Sequence, residues 1–251
     1  MSTPPEKPMA RMHFERMAAD YARARPQYPS SLYQVLRDSE VIGPGIRVLE
    51  IGAGSGLATS ELVRAGSDVV AIEPGADLAA LLRSTVDGVE VLPTTLEGAQ
   101  LPQGGFDSAV AATAMHWVDL AVGLPKLHAA LRPEGQLAVW RNVFGDEQVH
   151  TDFRARVAQV VAARHNLDGP PRAPEPPTMD ELTDGGWFTP TGTWRWRWSI
   201  DLTSDQVHHL FATFSDWAPE EVAAVTRAAA DLGGLVTEHY QSVLHLLRRA
   251  N

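Results

Sequence analysis

Residues 47–56 carry the chain's most telling chemistry. Arg47-Val48-Leu49-Glu50-Ile51-Gly52-Ala53-Gly54-Ser55-Gly56 reads as an apolar strand, an acidic residue and a G-x-G-x-G turn. Glycines allow a sharp turn and let the backbone approach a ligand where a Cβ would clash. A dinucleotide loop would carry a further glycine at position 57, and Leu57 stands there. Glu50 adds a carboxylate where a pyrophosphate gains nothing from negative charge, so the turn suits a ligand that carries a positive charge. A second apolar strand ends in Glu73-Pro74, and a carboxylate in that place accepts the two hydroxyls of a ribose. His116-Trp117 follows a fourth apolar strand. A histidine takes up a proton near neutral pH and can serve as a general base.

Several of these segments occur in an order that resembles the class I S-adenosylmethionine-dependent methyltransferases. VLEIGAGSG at 48–56 is similar to their first motif, and Val69-Val70-Ala71-Ile72-Glu73-Pro74 to the second. Phe106-Asp107-Ser108-Ala109-Val110, followed by Ala114-Met115-His116-Trp117, matches a third. Leu131-Arg132-Pro133-Glu134-Gly135-Gln136-Leu137 matches a fourth, with Glu134 where the family has glycine. Upstream, Tyr21-Ala22-Arg23-Ala24-Arg25-Pro26-Gln27-Tyr28-Pro29 resembles the Y-x-x-x-R-P-x-Y-P segment of small-molecule members. The likeness covers about residues 14–142.

The resemblance implies S-adenosyl-L-methionine as cofactor and S-adenosyl-L-homocysteine as product. It places Gly52, Ala53, Gly54 and Gly56 along the cofactor, Glu50 near its ammonium, and Glu73-Pro74 at its ribose. Thr95, Leu96 and Glu97 would flank the adenine, with Ala112 and Trp117 walling the site. Arg25 would meet the cofactor carboxylate, because a guanidinium matches a carboxylate bidentately. Tyr21 and Tyr28 would shield the cofactor from water or pack the N-terminal helix on the core. His116 would act as a general base or shape the pocket, and Arg141 and Asn142 would read the acceptor. Methyl transfer from a sulfonium is an in-line displacement that depends on alignment and exclusion of water.

These residues need a frame. From position 46 strands and helices alternate, which implies a parallel sheet with crossover helices. Strands fall near 46–51, 68–73, 89–92, 107–112 and 136–141, with helices near 57–65, 76–84 and 120–131. Helices are expected at 9–23, at 30–40 with Ser30 or Ser31 as N-cap, and at 148–166, 203–214 and 219–232. Gly169 to Pro177 is a Pro-rich loop or lid edge. In 193–200 the tryptophans 194, 196 and 198 alternate with Arg195 and Arg197, as in a strand whose Trp face joins a core or, less often, lines an aromatic acceptor pocket. Residues 237–247 fit a strand or a helix by period, and the resemblance implies a closing strand.

The expected fold is α/β: a Rossmann-like, mostly parallel seven-stranded sheet, one strand antiparallel near an edge, with helices on both faces and a helical cap. The expected organisation is a single methyltransferase-like domain over 1–251. It would comprise N-terminal lid helices 9–40, a cofactor-binding core 46–142, a cap 145–235 including strand 193–200, and a closing strand 237–248.

Composition narrows the partners. The 251 residues are 44% hydrophobic and 21% charged, ordinary for a globular chain able to bury a core. A net charge of −10 argues against nucleic acid, whose phosphates call for a basic surface, and favours a small-molecule acceptor. No apolar run is long enough for a bilayer span, and Met1 to Met12 lacks the apolar segment of a signal peptide. With zero cysteines there is no disulfide or thiolate site, which fits a cytoplasmic protein. No acidic or histidine cluster has metal-ligand spacing: His208 and His209 point to different helix faces. The expected activity is O- or N-methylation of a small molecule. The rival readings are C-methylation of a quinone-type precursor and a non-catalytic S-adenosylmethionine-binding protein.

Overall fold

The computed structural model describes residues 24–163, 175–214 and 216–251. The helix expected at 9–23, Tyr21 with it, lies outside them. In chain order the elements are α1 (Ser30–Asp38), β1 (Arg47–Ile51), α2 (Thr59–Arg64), β2 (Asp68–Ile72), α3 (Ala76–Thr85), β3 (Glu90–Leu92) and β4 (Phe106–Ala112). A 3-10 turn (Met115–Trp117) follows, then α4 (Leu120–Ala130), β5 (Leu131–Phe144), α5 (Asp152–Ala162), α6 (Met179–Thr183) and β6 (Phe188–Thr203). The chain ends with α7 (Ser204–Ala212), α8 (Pro219–Asp231) and β7 (Leu235–Arg249). The strands form one seven-stranded sheet in the order β3-β2-β1-β4-β5-β7-β6. The neighbours from β3 to β5 are parallel. Cross-strand side-chain contacts pair Thr189 with Arg248, Thr191 with Leu246 and Thr193 with His245, so edge strand β6 runs antiparallel to β7.

The described residues fall into two compact units. One holds 27–142, 175–195 and 242–251; the other holds 24–26, 143–163 and 196–241 apart from 215. In the first, β1 and β2 are buried on both faces, as near-continuous apolar strands of a parallel sheet must be. Alternation sends Leu49, Ile51, Val70 and Ile72 to one side, where they meet Leu124 and Leu127 of α4. Ala71 and Val91 pack with Ala79 and Leu82 of α3. In the second unit, α5, α7 and α8 bring Phe153, Val157, Leu210, Phe211 and Val225 into one core. Trp198 stacks on Tyr240 there, with ring centroids 4.6 Å apart, and Trp194 and Trp196 are half-buried while Arg195 and Arg197 are exposed. The tryptophan alternation is therefore that of a strand with one covered face.

Several boundaries differ from those read in the sequence. The N-cap of α1 is Pro29, with no side-chain cap bond, rather than Ser30 or Ser31, because the fixed φ of proline already sets the chain for the first turn. The glycine turn runs on through Ala58, so α2 starts at Thr59 rather than 57. Strand β5 starts at Leu131, five residues before the expected 136, and a register break between Phe106 and Ser108 absorbs the extra residues. Glu134 sits in that break at φ 63°, a left-handed conformation that favours glycine, and its carboxylate accepts from Arg248. Helix α6 is absent from the sequence reading, although Thr178 and Glu181 form a full capping box at its start. Among the described residues no helix is long and apolar enough to cross a membrane.

Candidate functional site

The glycine turn lies at the C-terminal end of β1, where open α/β sheets bind ligands. The Gly52 and Ala53 amides donate to the Ile72 carbonyl at 2.8 and 3.1 Å, which ties the turn to the end of β2. Gly52 has φ 65°, and a Cβ built there would lie 2.6 Å from the Ala114 Cβ. The turn after β1 therefore touches the turn after β4, and only glycine permits that approach. Gly54 differs: its φ is 59°, and a Cβ would meet no atom of the described residues within 4 Å. It faces open space, as a backbone that lies along a ligand must. Gly56, at φ 92°, instead makes room for Leu82 and Val86.

Two carboxylates flank the turn. Glu73 is buried at the end of β2. Its Oε2 accepts from the Gly54 amide at 2.7 Å and its Oε1 from the Gly75 amide at 2.8 Å. These two bonds brace the glycine turn against the end of β2. Pro74 beside it is exposed. Glu50 is 1% exposed, and among the described residues neither carboxylate oxygen has a partner at hydrogen-bonding geometry, the Thr59 hydroxyl being the polar group beside it. Burial pushes its pKa up to about 7; the nearby Glu73 charge adds to this and the Thr59 hydroxyl opposes it. A buried, unsatisfied carboxylate is costly, and a cationic group of a ligand would relieve it.

The burial of Glu50 makes stability depend on pH. Its pKa is higher in the folded chain than the ordinary 4.5, so between pH 4.5 and 7 the folded state holds more protons than the unfolded one. The stabilisation that results is complete below about pH 4.5 and is lost as pH rises through about 7, by roughly 3 kcal/mol. Denaturant unfolding without added cofactor should show wild type losing stability between pH 5.5 and 8. Glu50→Gln should lose less over the same interval; parallel pH profiles would show that Glu50 is not the titrating group.

A small cleft opens beside the β4 turn. Thr113, Ala114, Met115 and His116 form one wall. Val139, Trp140 and Arg141 of β5 form another; Pro176, Pro177, Val243 and His245 complete it. Ala114, the residue pressed against Gly52, belongs to this lining, so loop and cleft are contiguous. Thr113 has φ 55°, a strained value for a β-branched residue that costs on the order of 1–3 kcal/mol. Its amide donates to the Trp140 carbonyl at 2.7 Å, and its hydroxyl pairs with the Tyr28 hydroxyl at 2.8 Å. Tyr28 is itself buried edge-on against Tyr33 and Trp140. These contacts hold the kink that turns the chain after half-buried Ala112 and sets His116 in the cleft. Trp117 packs against His116 with centroids 4.9 Å apart.

The other expected site residues are distributed as follows. Thr95 and Glu97 are half-buried and Leu96 is buried. The Glu97 Oε1 accepts from the Asp119 amide at 2.9 Å, which ties the segment to the start of α4. Asn142 does not line the cleft: its Oδ1 accepts from the Ser242 hydroxyl at 2.6 Å. Arg25 belongs to the other unit, where its Nη2 donates to the Thr213 carbonyl at 3.1 Å and its guanidinium lies over the Phe214 ring. Pro176 and Pro177 belong to the Pro-rich loop read in the sequence as a lid edge, whereas His245 was not singled out. Strand pairing and a loop far along the chain bring them in, and local pattern carries no signal for that.

A model of the methyltransferase domain matches residues 49–139. An uncharacterized methyltransferase from Mycobacterium tuberculosis is 35% identical over 130 residues, 51% of this chain and 52% of that protein. The chain spans about half the length of the curated relatives it matches. Among solved structures, a candidate type II methyltransferase from Anaeromyxobacter dehalogenans superposes with a TM-score of 0.67 at 22% identity, covering 88% of this chain and 97% of that one. Geranyl diphosphate C-methyltransferase from Streptomyces coelicolor A3(2), solved with S-adenosyl-L-homocysteine, gives a TM-score of 0.50 at 16% identity, over 88% and 76%. These two likenesses show the shared fold. Residues 49–139 are thus similar to the methyltransferase domain, and the chain shares its fold with these two solved structures.

Proposed function

We propose that this protein transfers a methyl group from S-adenosyl-L-methionine to an oxygen or nitrogen of a small-molecule acceptor. The carrying observation is the buried, unsatisfied Glu50 carboxylate beside an open Gly54, one glycine from a cleft that holds His116. The donor set fits the cofactor: a carboxylate for an ammonium, a braced carboxylate for two ribose hydroxyls, and a backbone turn that admits close approach. When bound, S-adenosyl-L-methionine supplies an electrophilic methyl group on a sulfonium.

The chain's own residues then divide the work. Glu73 receives the ribose hydroxyls, and Glu50 pairs with the ammonium in its ionised form. Thr95, Leu96 and Glu97 flank the adenine, with Glu97 also fixing α4. Ala112 and Trp117 bound the site. His116 accepts a proton from a hydroxyl or ring nitrogen as it is methylated, and Trp140 and the prolines exclude water. The net charge of −10 supports a small acceptor over nucleic acid, and the cysteine-free composition supports a cytoplasmic setting.

The test is transfer of labelled methyl from S-adenosyl-L-methionine to a panel of phenols, carboxylic acids and heterocyclic amines. With an acceptor in hand, His116→Gln should lower kcat tenfold or more and remove the acidic limb of the pH profile. A change confined to KM would make His116 a wall of the cleft. Absence of turnover with every acceptor, despite cofactor binding, would favour a non-catalytic binding protein.

A further inference from the structure

The cleft has a charge pattern that the transfer of a methyl group does not require. Adjacent strands β5, β7 and β6 supply Arg141, His245 and Arg195 in turn, and Arg141 and His245 line the cleft. Arg195 acts on both: its charge lowers the pKa of Arg141 and of His245, in each case after burial, and Arg141 further lowers that of His245. Glu175 is the opposing charge on Arg141. The Arg141 Nε is buried with no hydrogen-bond partner. His245 Nδ1 is engaged with the Thr193 hydroxyl at 3.0 Å, which leaves Nε2 for a ligand. A buried guanidinium N–H without an acceptor is destabilising, and a carboxylate is the group whose two oxygens match its fork. The rest of the wall is apolar, formed by Met115, Val139, Trp140, Val243 and the two prolines.

We infer that the methyl acceptor is a small monocarboxylate with an apolar body, its carboxylate held by Arg141 and His245 and its body packed against Trp140 and the prolines. Arg195 contributes charge from the neighbouring strand. The inference rests on reading this cleft as the acceptor site. A phosphate is the rival anion; one guanidinium fork and one imidazole match two oxygens better than three.

The experiment compares binding of matched pairs to the full chain saturated with S-adenosyl-L-homocysteine: acetate with acetamide, benzoate with benzamide, and 4-hydroxybenzoate with 4-hydroxybenzamide. Inorganic phosphate serves as a further arm. At least one carboxylate should bind tenfold or more tightly than its amide. Arg141→Gln should remove that preference and leave the amide unchanged, and Arg141→Lys should keep part of it. Unaltered melting and S-adenosyl-L-homocysteine titration would show that the variants are folded. The His245 titration midpoint, followed by NMR, should rise when the carboxylate binds, against the lowering effect of burial and of the Arg141 and Arg195 charges; Glu175, which faces Arg141, and His116 share this surface and are the other groups to follow. If Arg141→Gln does not fold, Arg195→Gln, at an exposed position, should still lower carboxylate affinity severalfold. Equal binding of all three pairs, stronger binding of phosphate, or a carboxylate preference that survives Arg141→Gln would each overturn the inference. Failure of S-adenosyl-L-homocysteine to bind would instead overturn the functional reading beneath it.

Discussion

Glu73→Ala should raise the dissociation constant for S-adenosyl-L-homocysteine a hundredfold or more. The carboxylate has two jobs that fail together. It braces the loop through the Gly54 and Gly75 amides, and it is the proposed receiver of the ribose hydroxyls. Hydrogen bonds to a charged group contribute about 1.5–3 kcal/mol each, so losing two toward the ligand costs about 3 kcal/mol or more, before the loop relaxes. Glu73→Gln keeps the shape but offers one acceptor oxygen in place of two, and should fall between. Calorimetric titration of the three proteins measures this directly, and a Glu73→Ala variant that binds like wild type would place the ribose elsewhere.

The second large effect separates two glycines of one loop. Gly52→Ala should destabilise the fold by roughly 3 kcal/mol, because the new methyl must displace Ala114 and the residue must hold φ 65°. Gly54→Ala meets no atom of the described residues within 4 Å and bears only the left-handed backbone cost, about 1 kcal/mol. Its methyl enters the open face, so it should lose cofactor affinity at least tenfold while remaining folded. Urea unfolding and S-adenosyl-L-homocysteine titration of both variants read the two effects apart. The opposite pattern, a stable Gly52→Ala and an unfolded Gly54→Ala, would mean that the loop faces the other way.

The sheet and the cofactor loop were legible because their signals are local. An apolar run such as Val69 to Ile72 declares a buried strand, and the G-x-G-x-G spacing after Glu50 declares the turn. The closing strand Leu235–Arg249 was less plain: its period allowed a helix, and only the likeness to a family decided it. The α1 cap, the early start of β5 and helix α6 escaped because each depends on a short-range choice that propensity leaves open. The cleft was legible in part. His116 follows β4 and Arg141 lies near the C-terminal end of β5, the edge of the sheet where ligands are expected, and both line it. Asn142, one residue on, is bonded to Ser242 instead, since successive residues of a strand face opposite ways. His245 gave no sign, for its role depends on β7 lying beside β5 and β6, a long-range pairing that no window of sequence contains.

Titration of the purified protein with S-adenosyl-L-homocysteine by calorimetry, with NAD as control, addresses the central claim. Micromolar or tighter binding of the first and none of the second is the predicted result. Binding of NAD in its place would contradict the reading of Glu50 and Leu57 on which the account is built.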